Sequence, residues 1–326
     1  MNISFLFLFV FRKALIALPG PVFWPYFAGI TVLALGLAML AKNGVGRRAG
    51  IESAVRFGPV FFAAPLAVFG GDHFIAPAIV AAMIPSWIPG HLFWTYFVGT
   101  ALFAAALSIV VDKYSKLAAT LVGLMIFSFV LILHVPNVVG NPRDRILIAV
   151  LLRDLSFSAG ALALALTRVH KLPNESTRIM RAALRFAVGI PILFFGVEHF
   201  LHPQFVPVVP LQQPMPTWVP APLFVSYVTG IVLIACAAAI IGNWEARRSA
   251  IWLGVFVFAM VLFVYLPLVI AKPLDIGNGL NYFADTLAVS GTLLLLGGAL
   301  PARRETASEH SNETVTVAQS RAEVIG

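Results

Sequence analysis

Apolar residues run along this chain in stretches of about 20, each closed by a short polar or proline-bearing segment. Nine such runs are legible, at about 22–41, 54–72, 91–111, 115–137, 145–167, 181–199, 221–241, 247–270 and 279–299. A helix rising ~1.5 Å per residue needs about 20 residues to cross the roughly 30 Å hydrocarbon layer of a bilayer. No water is available there for backbone N–H and C=O groups, so runs of this length are predicted to be helices. The predicted fold class is an all-α integral membrane protein with about nine transmembrane helices. Composition agrees, with 60% hydrophobic and 11% charged residues and a mean hydropathy of +0.93.

The runs repeat. Displacing the chain by 131 positions sets Pro85, Trp87, Pro89, Tyr96 and Gly99 on Pro216, Trp218, Pro220, Tyr227 and Gly230. The register continues through Gly123, Pro136, Asp144, Asp154 and Gly160 onto Gly254, Pro267, Asp275, Asp285 and Gly291. A six-residue string, Phe69-Gly70-Gly71-Asp72-His73-Phe74, returns as Phe195-Gly196-Val197-Glu198-His199-Phe200 at an offset of 126. The second copy therefore carries a five-residue insertion near Pro210–Pro214. Prolines, aromatics and an intramembrane aspartate kept in phase mark a duplication. Each unit has four spans, an even number, so both copies share one orientation and are predicted to be related by an axis along the membrane normal. Phe23-Trp24-Pro25-Tyr26-Phe27-Ala28-Gly29 resembles Phe93-Trp94-Thr95-Tyr96-Phe97-Val98-Gly99, so the first span reads as the orphan second helix of a third, incomplete unit. The predicted division is 1–21, an N-terminal interfacial segment; 22–53, the orphan span and its loop; 54–167 and 181–300, the two units; 168–180, a linker; and 301–326, a disordered tail.

The net charge of +8 does not mean a nucleic-acid partner, because the basic residues sort by loop. Lys42, Arg47, Arg48, Arg56, Lys113, Lys116, Arg168, Lys171, Arg178, Arg181, Arg247, Arg248, Arg303 and Arg304 fall on one side; Arg12, Lys13, Arg143, Arg145 and Lys272 fall on the other. By the positive-inside rule the N-terminus is predicted outside and the tail in the cytoplasm. Arg12 and Lys13 follow the apolar run Ile3–Phe11, the reverse of the order in a signal peptide. The single cysteine, Cys236, lies within a span and excludes an internal disulfide or Cys-x-x-Cys pair.

Ionisable residues inside a membrane are costly and are functional candidates. Asp72, His73, Glu198 and His199 lie at helix ends. Asp154 and Asp285 lie near the midplane, with Arg153 before the first and Ala284 before the second. His134 lies near the end of its span, and Tyr265 replaces it in the second unit. One reading gathers Asp72, His73, His134 and Asp154 into a pocket on the outer side, able to pass protons to a quinone or hold a polar headgroup, since a carboxylate orients and activates an imidazole. The competing reading has these groups satisfying helix ends and interhelical hydrogen bonds. At 1.5 Å per residue Asp154 lies several ångströms below His134, so direct contact is not implied. Adjacent Asp-His does not put two ligands on one helix face, so no metal site is predicted. His91, His170, His202 and His310 read as solvated. No phosphate loop, dinucleotide fingerprint or nucleophile elbow is present.

With its Phe-Gly-x-[Asp/Glu]-His-Phe…Pro…Pro-x-Trp-x-Pro pattern, the chain resembles the DoxX-like membrane proteins, here as two tandem four-helix units. The resemblance implies a multi-pass protein of the bacterial inner membrane, associated with quinone-linked redox chemistry, a quinone as cofactor and oxidoreductase subunits as partners beside the lipid bilayer. The candidate site residues, taken from the intramembrane ionisable groups above, are Asp72, His73, His134, Asp154, Glu198, His199 and Asp285. The alternative is a non-enzymatic membrane module, a small-solute carrier or a scaffold for partner proteins.

Overall fold

The computed structural model describes residues 18, 20–44, 50–169, 174–209 and 211–301. Most of the expected interfacial segment, at 1–17, and the tail beyond 301 lie outside the described residues. Among the described residues the long elements are all helices, nine of them long and apolar enough to cross a membrane. It is a multi-pass membrane protein of the all-α class.

The helices are α1 (Gly20–Lys42), α2 (Gly58–Ile75), the short α3 (Pro77–Ala82), α4 (His91–Val111), α5 (Ser115–Phe129), α6 (Val135–Gly140), α7 (Arg145–Thr167), α8 (Asn174–Leu201), α9 (Pro222–Ile241), α10 (Ala246–Met260), α11 (Leu266–Ala271) and α12 (Asn281–Ala299). Two of the spans are composite. A π-helical turn, Val130–His134, joins α5 to α6, and its counterpart Val261–Tyr265 joins α10 to α11. Proline explains both. Pro136 and Pro267 lack an N–H, and their rings crowd the carbonyl four residues back, so the chain widens by one residue there instead of breaking. The fourth span thus reaches Gly140, three residues beyond the boundary predicted from hydropathy. The sixth begins earlier than predicted, at Glu175, because its first turns are polar and project past the apolar layer.

Helix packing follows the repeat. In the first unit α2 packs on α4, α4 on α5, and α5 on α7; in the second α8 packs on α9, α9 on α10, and α10 on α12. The units meet through α2 against α12, α7 against α8, and α7 against α12. Exchanging the two units maps this contact pattern onto itself, as a two-fold relation requires. Close approaches sit on small residues. A Cβ on Gly160 would lie 2.5 Å from Thr292 Oγ1, and one on Gly291 would lie 2.6 Å from Phe62 N. Such contacts suit packing in lipid, where dispersion and close backbone approach replace the hydrophobic drive.

α1 lies against α2 and α4. Its ring pairs Phe23–Trp24 (74°) and Phe23–Phe27 (23°) reproduce Phe93–Trp94 (76°) and Phe93–Phe97 (19°) of α4. The contact also accounts for a difference between the two strings. A Cβ on Gly71 would stand 2.8 Å from Pro25 Cα, whereas the equivalent Val197 is 42% exposed.

Basic side chains at one end of the bundle close helix C-termini. Arg247 donates to Gly297 O and Leu300 O at 2.8 Å, Arg181 to Ala299 O at 3.0 Å, and Arg185 to Ile240 O and Ile241 O. These carbonyls have no intrahelical partner and carry the negative end of the helix dipole. The opposite end, which holds the Asp-His and Glu-His strings, is the histidine end.

Candidate functional site at the histidine end

The two strings adopt one geometry. Nδ1 of His73 lies 2.7 Å from Phe69 O, and Nδ1 of His199 lies 2.6 Å from Phe195 O. A carbonyl only accepts, so Nδ1 carries the proton in both rings and Nε2 of the neutral imidazole is left as an acceptor. Gly99 and Gly230 pass so close that a Cβ would meet His73 Cβ at 2.8 Å and His199 Cβ at 3.0 Å. Phe74 pairs with Tyr96, and Phe200 with Tyr227, each at 5.6 Å between ring centroids. The aromatic ring after each histidine is exposed, while Glu198 and His199 are buried and Asp72 and His73 partly so. The titratable groups face protein, as their desolvation cost requires.

Deeper in the bundle the spans bring four charged groups together. His134 Nε2 donates to Asp154 Oδ2 at 2.9 Å. Arg153 donates through Nε to Asp154 Oδ1 at 3.0 Å and through Nη1 to Asp285 Oδ2 at 2.9 Å. One guanidinium therefore holds the two symmetry-related aspartates, and the link crosses from α7 to α12. The direct His134–Asp154 bond corrects the expected difference in depth. Because the span continues through α6, His134 lies six residues from its end instead of three, which brings it down to the level of Asp154.

The acidic residues at the helix ends differ between units. Glu198 pairs with Arg145 at 3.2 Å and lies 3.9 Å from His202 Nε2. Arg145 also donates to Leu211 O at 2.7 Å and covers the Phe205 ring. The position equivalent to Arg145 in the second unit is Ile276, so Asp72 has no guanidinium. The Asn281 side chain lies beside Asp72, and Asp285 is within electrostatic reach. Even so, Asp72 Oδ1 and Asn281 Oδ1 are buried without a hydrogen-bond partner. Among the described residues no hydrogen bond joins Asp72 or His73 to His134, so the predicted quartet divides in two: His134 and Asp154 within the ion network, Asp72 and His73 at the helix end.

The five-residue insertion has a structural result. Val206, Val208 and Val209 are wholly buried, and Leu211 and Gln213 nearly so. The loop closes the histidine end of the second unit. Val208 N–H donates to His199 Nε2 at 3.0 Å, the Tyr265 hydroxyl donates to Pro207 O, and the N–H groups of Gln212 and Gln213 donate to the Tyr282 hydroxyl at 2.9 and 3.0 Å. Val208 has φ of 76°, and Val209 N–H bonds Pro207 O across it. This is a γ-turn that a β-branched residue adopts only when held by its surroundings. Sequence reasoning missed Arg145, counted there only as a loop charge, along with Tyr282, Asn281 and His202. The loss of arginine at 276, visible on aligning the repeats, is the signal that would have exposed the asymmetry. Among the described residues no group of three or more His, Cys, Asp or Glu side chains is placed to hold a metal.

Residues 62–146 match a domain of unknown function, DUF8561. The matched stretch is well under half the chain; it runs from α2 to the start of α7 and includes Asp72, His73 and His134 but not Asp154. No curated protein and no solved structure matches the chain.

Proposed function

We propose that this protein is an integral subunit of the bacterial inner membrane that binds a quinone in the outer leaflet, in service of partner oxidoreductase subunits that supply or take the electrons. The observation that carries the reading is the His134–Asp154 hydrogen bond of 2.9 Å, with side chains 12% and 15% exposed, inside a membrane-spanning bundle. A quinone gains two protons with two electrons, and a carboxylate-oriented imidazole is suited to passing them. Arg153 holds Asp154 on its other oxygen, which fixes the acceptor toward which the imidazole points. The resemblance to the DoxX-like proteins favours the same chemistry, as an analogy of fold. The first unit is the better seat for it, because the second has Tyr265 and Ala284 where the first has His134 and Arg153. The orientation that goes with this function puts the N-terminus and the histidine end outside and the arginine-capped end in the cytoplasm.

The test is a titration of the purified protein in detergent with decylubiquinone and a short-chain menaquinone, read by quenching of intrinsic tryptophan fluorescence. His134→Ala and Asp154→Asn should each weaken binding about tenfold, the equivalent of ~1.4 kcal/mol, while both variants still melt cooperatively. Absence of saturable quenching in the wild type, or unchanged affinity in both variants, would overturn the proposal.

A further inference from the structure

The second unit fills its own histidine end with residues 206–209 and 211–213, and in doing so displays what the first unit is built to receive. Its loop gives an N–H to His199 Nε2. The equivalent ring in the first unit, His73, has the same Nδ1 bond to its own helix and so presents the same Nε2 acceptor. Two further acceptors lie at this end, Asp72 Oδ1 and Asn281 Oδ1, each buried and unpaired. The insertion that would bring a loop N–H here is absent from the first unit, and Ile276 stands where the second unit's acid has Arg145. Buried acceptors without donors cost free energy that a donor returns. The chain on this side instead leaves Ile79, Met83 and Trp87 exposed, 70%, 64% and 71%. These are apolar surfaces on the segment that follows the Asp-His string.

We infer that the histidine end of the first unit binds the headgroup of an amphiphile that donates hydrogen bonds, a phenol-type or alcohol hydroxyl, at the place the second unit occupies with its own loop. His73 Nε2 and Asp72 Oδ1 accept from it, as His199 accepts from Val208. Applied to quinones, which rests on the function proposed above, the site selects the reduced quinol over the quinone, because only the quinol carries O–H groups.

The experiment compares 4-octylphenol with its methyl ether, and decylubiquinol with decylubiquinone, against purified full-length protein by thermal shift and equilibrium dialysis. The phenol should bind at one site per chain and its ether about tenfold or more weaker. His73→Ala and Asp72→Asn should weaken the phenol similarly, whereas His199→Ala should lower the melting temperature and leave affinity per folded molecule unchanged. Replacing residues 207–211 by two glycines should raise the stoichiometry from one to two. If that variant does not fold, His73→Ala and the ether decide. Equal binding of phenol and ether, no binding of either, or loss in His199→Ala but not His73→Ala would refute the inference. Octylphenol binding without binding of either decylubiquinol or decylubiquinone would sustain this site and refute the quinone function. Decylubiquinone binding sensitive to His134, with octylphenol and decylubiquinol binding indifferent to His73, would do the reverse.

Discussion

Replacing Arg153 by methionine keeps the length of the side chain and removes its charge, and the consequence can be worked from the geometry. Arg153 bonds Asp154 at 3.0 Å and Asp285 at 2.9 Å, and the three side chains are 20%, 15% and 7% exposed. At an effective dielectric of about 20, each such pair has a gross attraction of roughly 5–6 kcal/mol. Desolvation offsets much of this in the intact network, but removing one partner leaves carboxylates in a poorly hydrated interior, which typically costs about 3–5 kcal/mol. Here two carboxylates lose the same partner, and only Asp154 retains another, His134. Arg153→Met should therefore unfold at markedly lower denaturant than the wild type, in SDS titration from dodecylmaltoside followed by circular dichroism. Adding Asp154→Asn and Asp285→Asn to it removes the orphaned charges and should restore most of the loss. Wild-type stability in Arg153→Met would refute the network as drawn. A triple variant no more stable than Arg153→Met would show that the loss arises from packing instead.

Other outcomes follow from particular contacts. Gly99→Ala and Gly230→Ala place a methyl within 2.7–2.8 Å of the Phe74 and Phe200 rings, so each should destabilise by about 1–3 kcal/mol in the same assay. Tyr265→Phe removes the hydroxyl that donates to the buried Pro207 carbonyl and leaves it only the γ-turn N–H of Val209, so hydrogen exchange in the loop after Phe205 should speed up while the helices stay protected. Reporter fusions after Arg178 should register as cytoplasmic and after Gln212 as periplasmic; the opposite pattern would invert the proposed orientation.

The sequence carried the spans and the repeat because both are written locally: twenty apolar residues need no partner to declare a helix, and prolines kept in phase need no structure to declare a copy. The repeat set Asp144 on Asp275, and the structure gives both the same role at the start of a helical segment. Asp144 accepts from Ile146 N at 2.9 Å, and Asp275 from Asn278 N at 2.9 Å. What was not legible depends on the third dimension. Arg145 and Glu198 are 53 positions apart and meet only because α7 packs on α8. The loop at 206–213 reads as ordinary proline-rich connection, and its burial comes from partners, His199, Tyr265 and Tyr282, that lie on three other segments. The π-turn that lowers His134 onto Asp154 follows from Pro136, but counting residues along an ideal helix cannot register it.

The duplicated halves have exchanged charge in one direction. Both interior arginines that cross between units, Arg145 and Arg153, sit on α7 of the first unit, and both serve acids of the second, Glu198 and Asp285. The reciprocal positions on the second unit are Ile276 and Ala284, so nothing returns to Asp72, and Asp154 is held by its own neighbour. The histidine end of the second unit is thereby closed, with its acid paired by the first unit's Arg145, its histidine bonded and its end filled by its own backbone. The first keeps a histidine at 134, an acceptor at Nε2 of His73 and an unpaired acid oxygen on Asp72. A helix that spends its charges on a neighbour cannot be separated from it without leaving charged groups in lipid, so the halves should fold together and fail apart. Expressing residues 1–170 and 171–326 as separate chains in one cell tests this. Each alone should be degraded or aggregate, and together they should co-purify, because the interface supplies charge pairs that neither half contains. Stable, monodisperse accumulation of either half alone would show that the arginines on α7 are dispensable to the fold, and the asymmetry of charge would lose its physical reason.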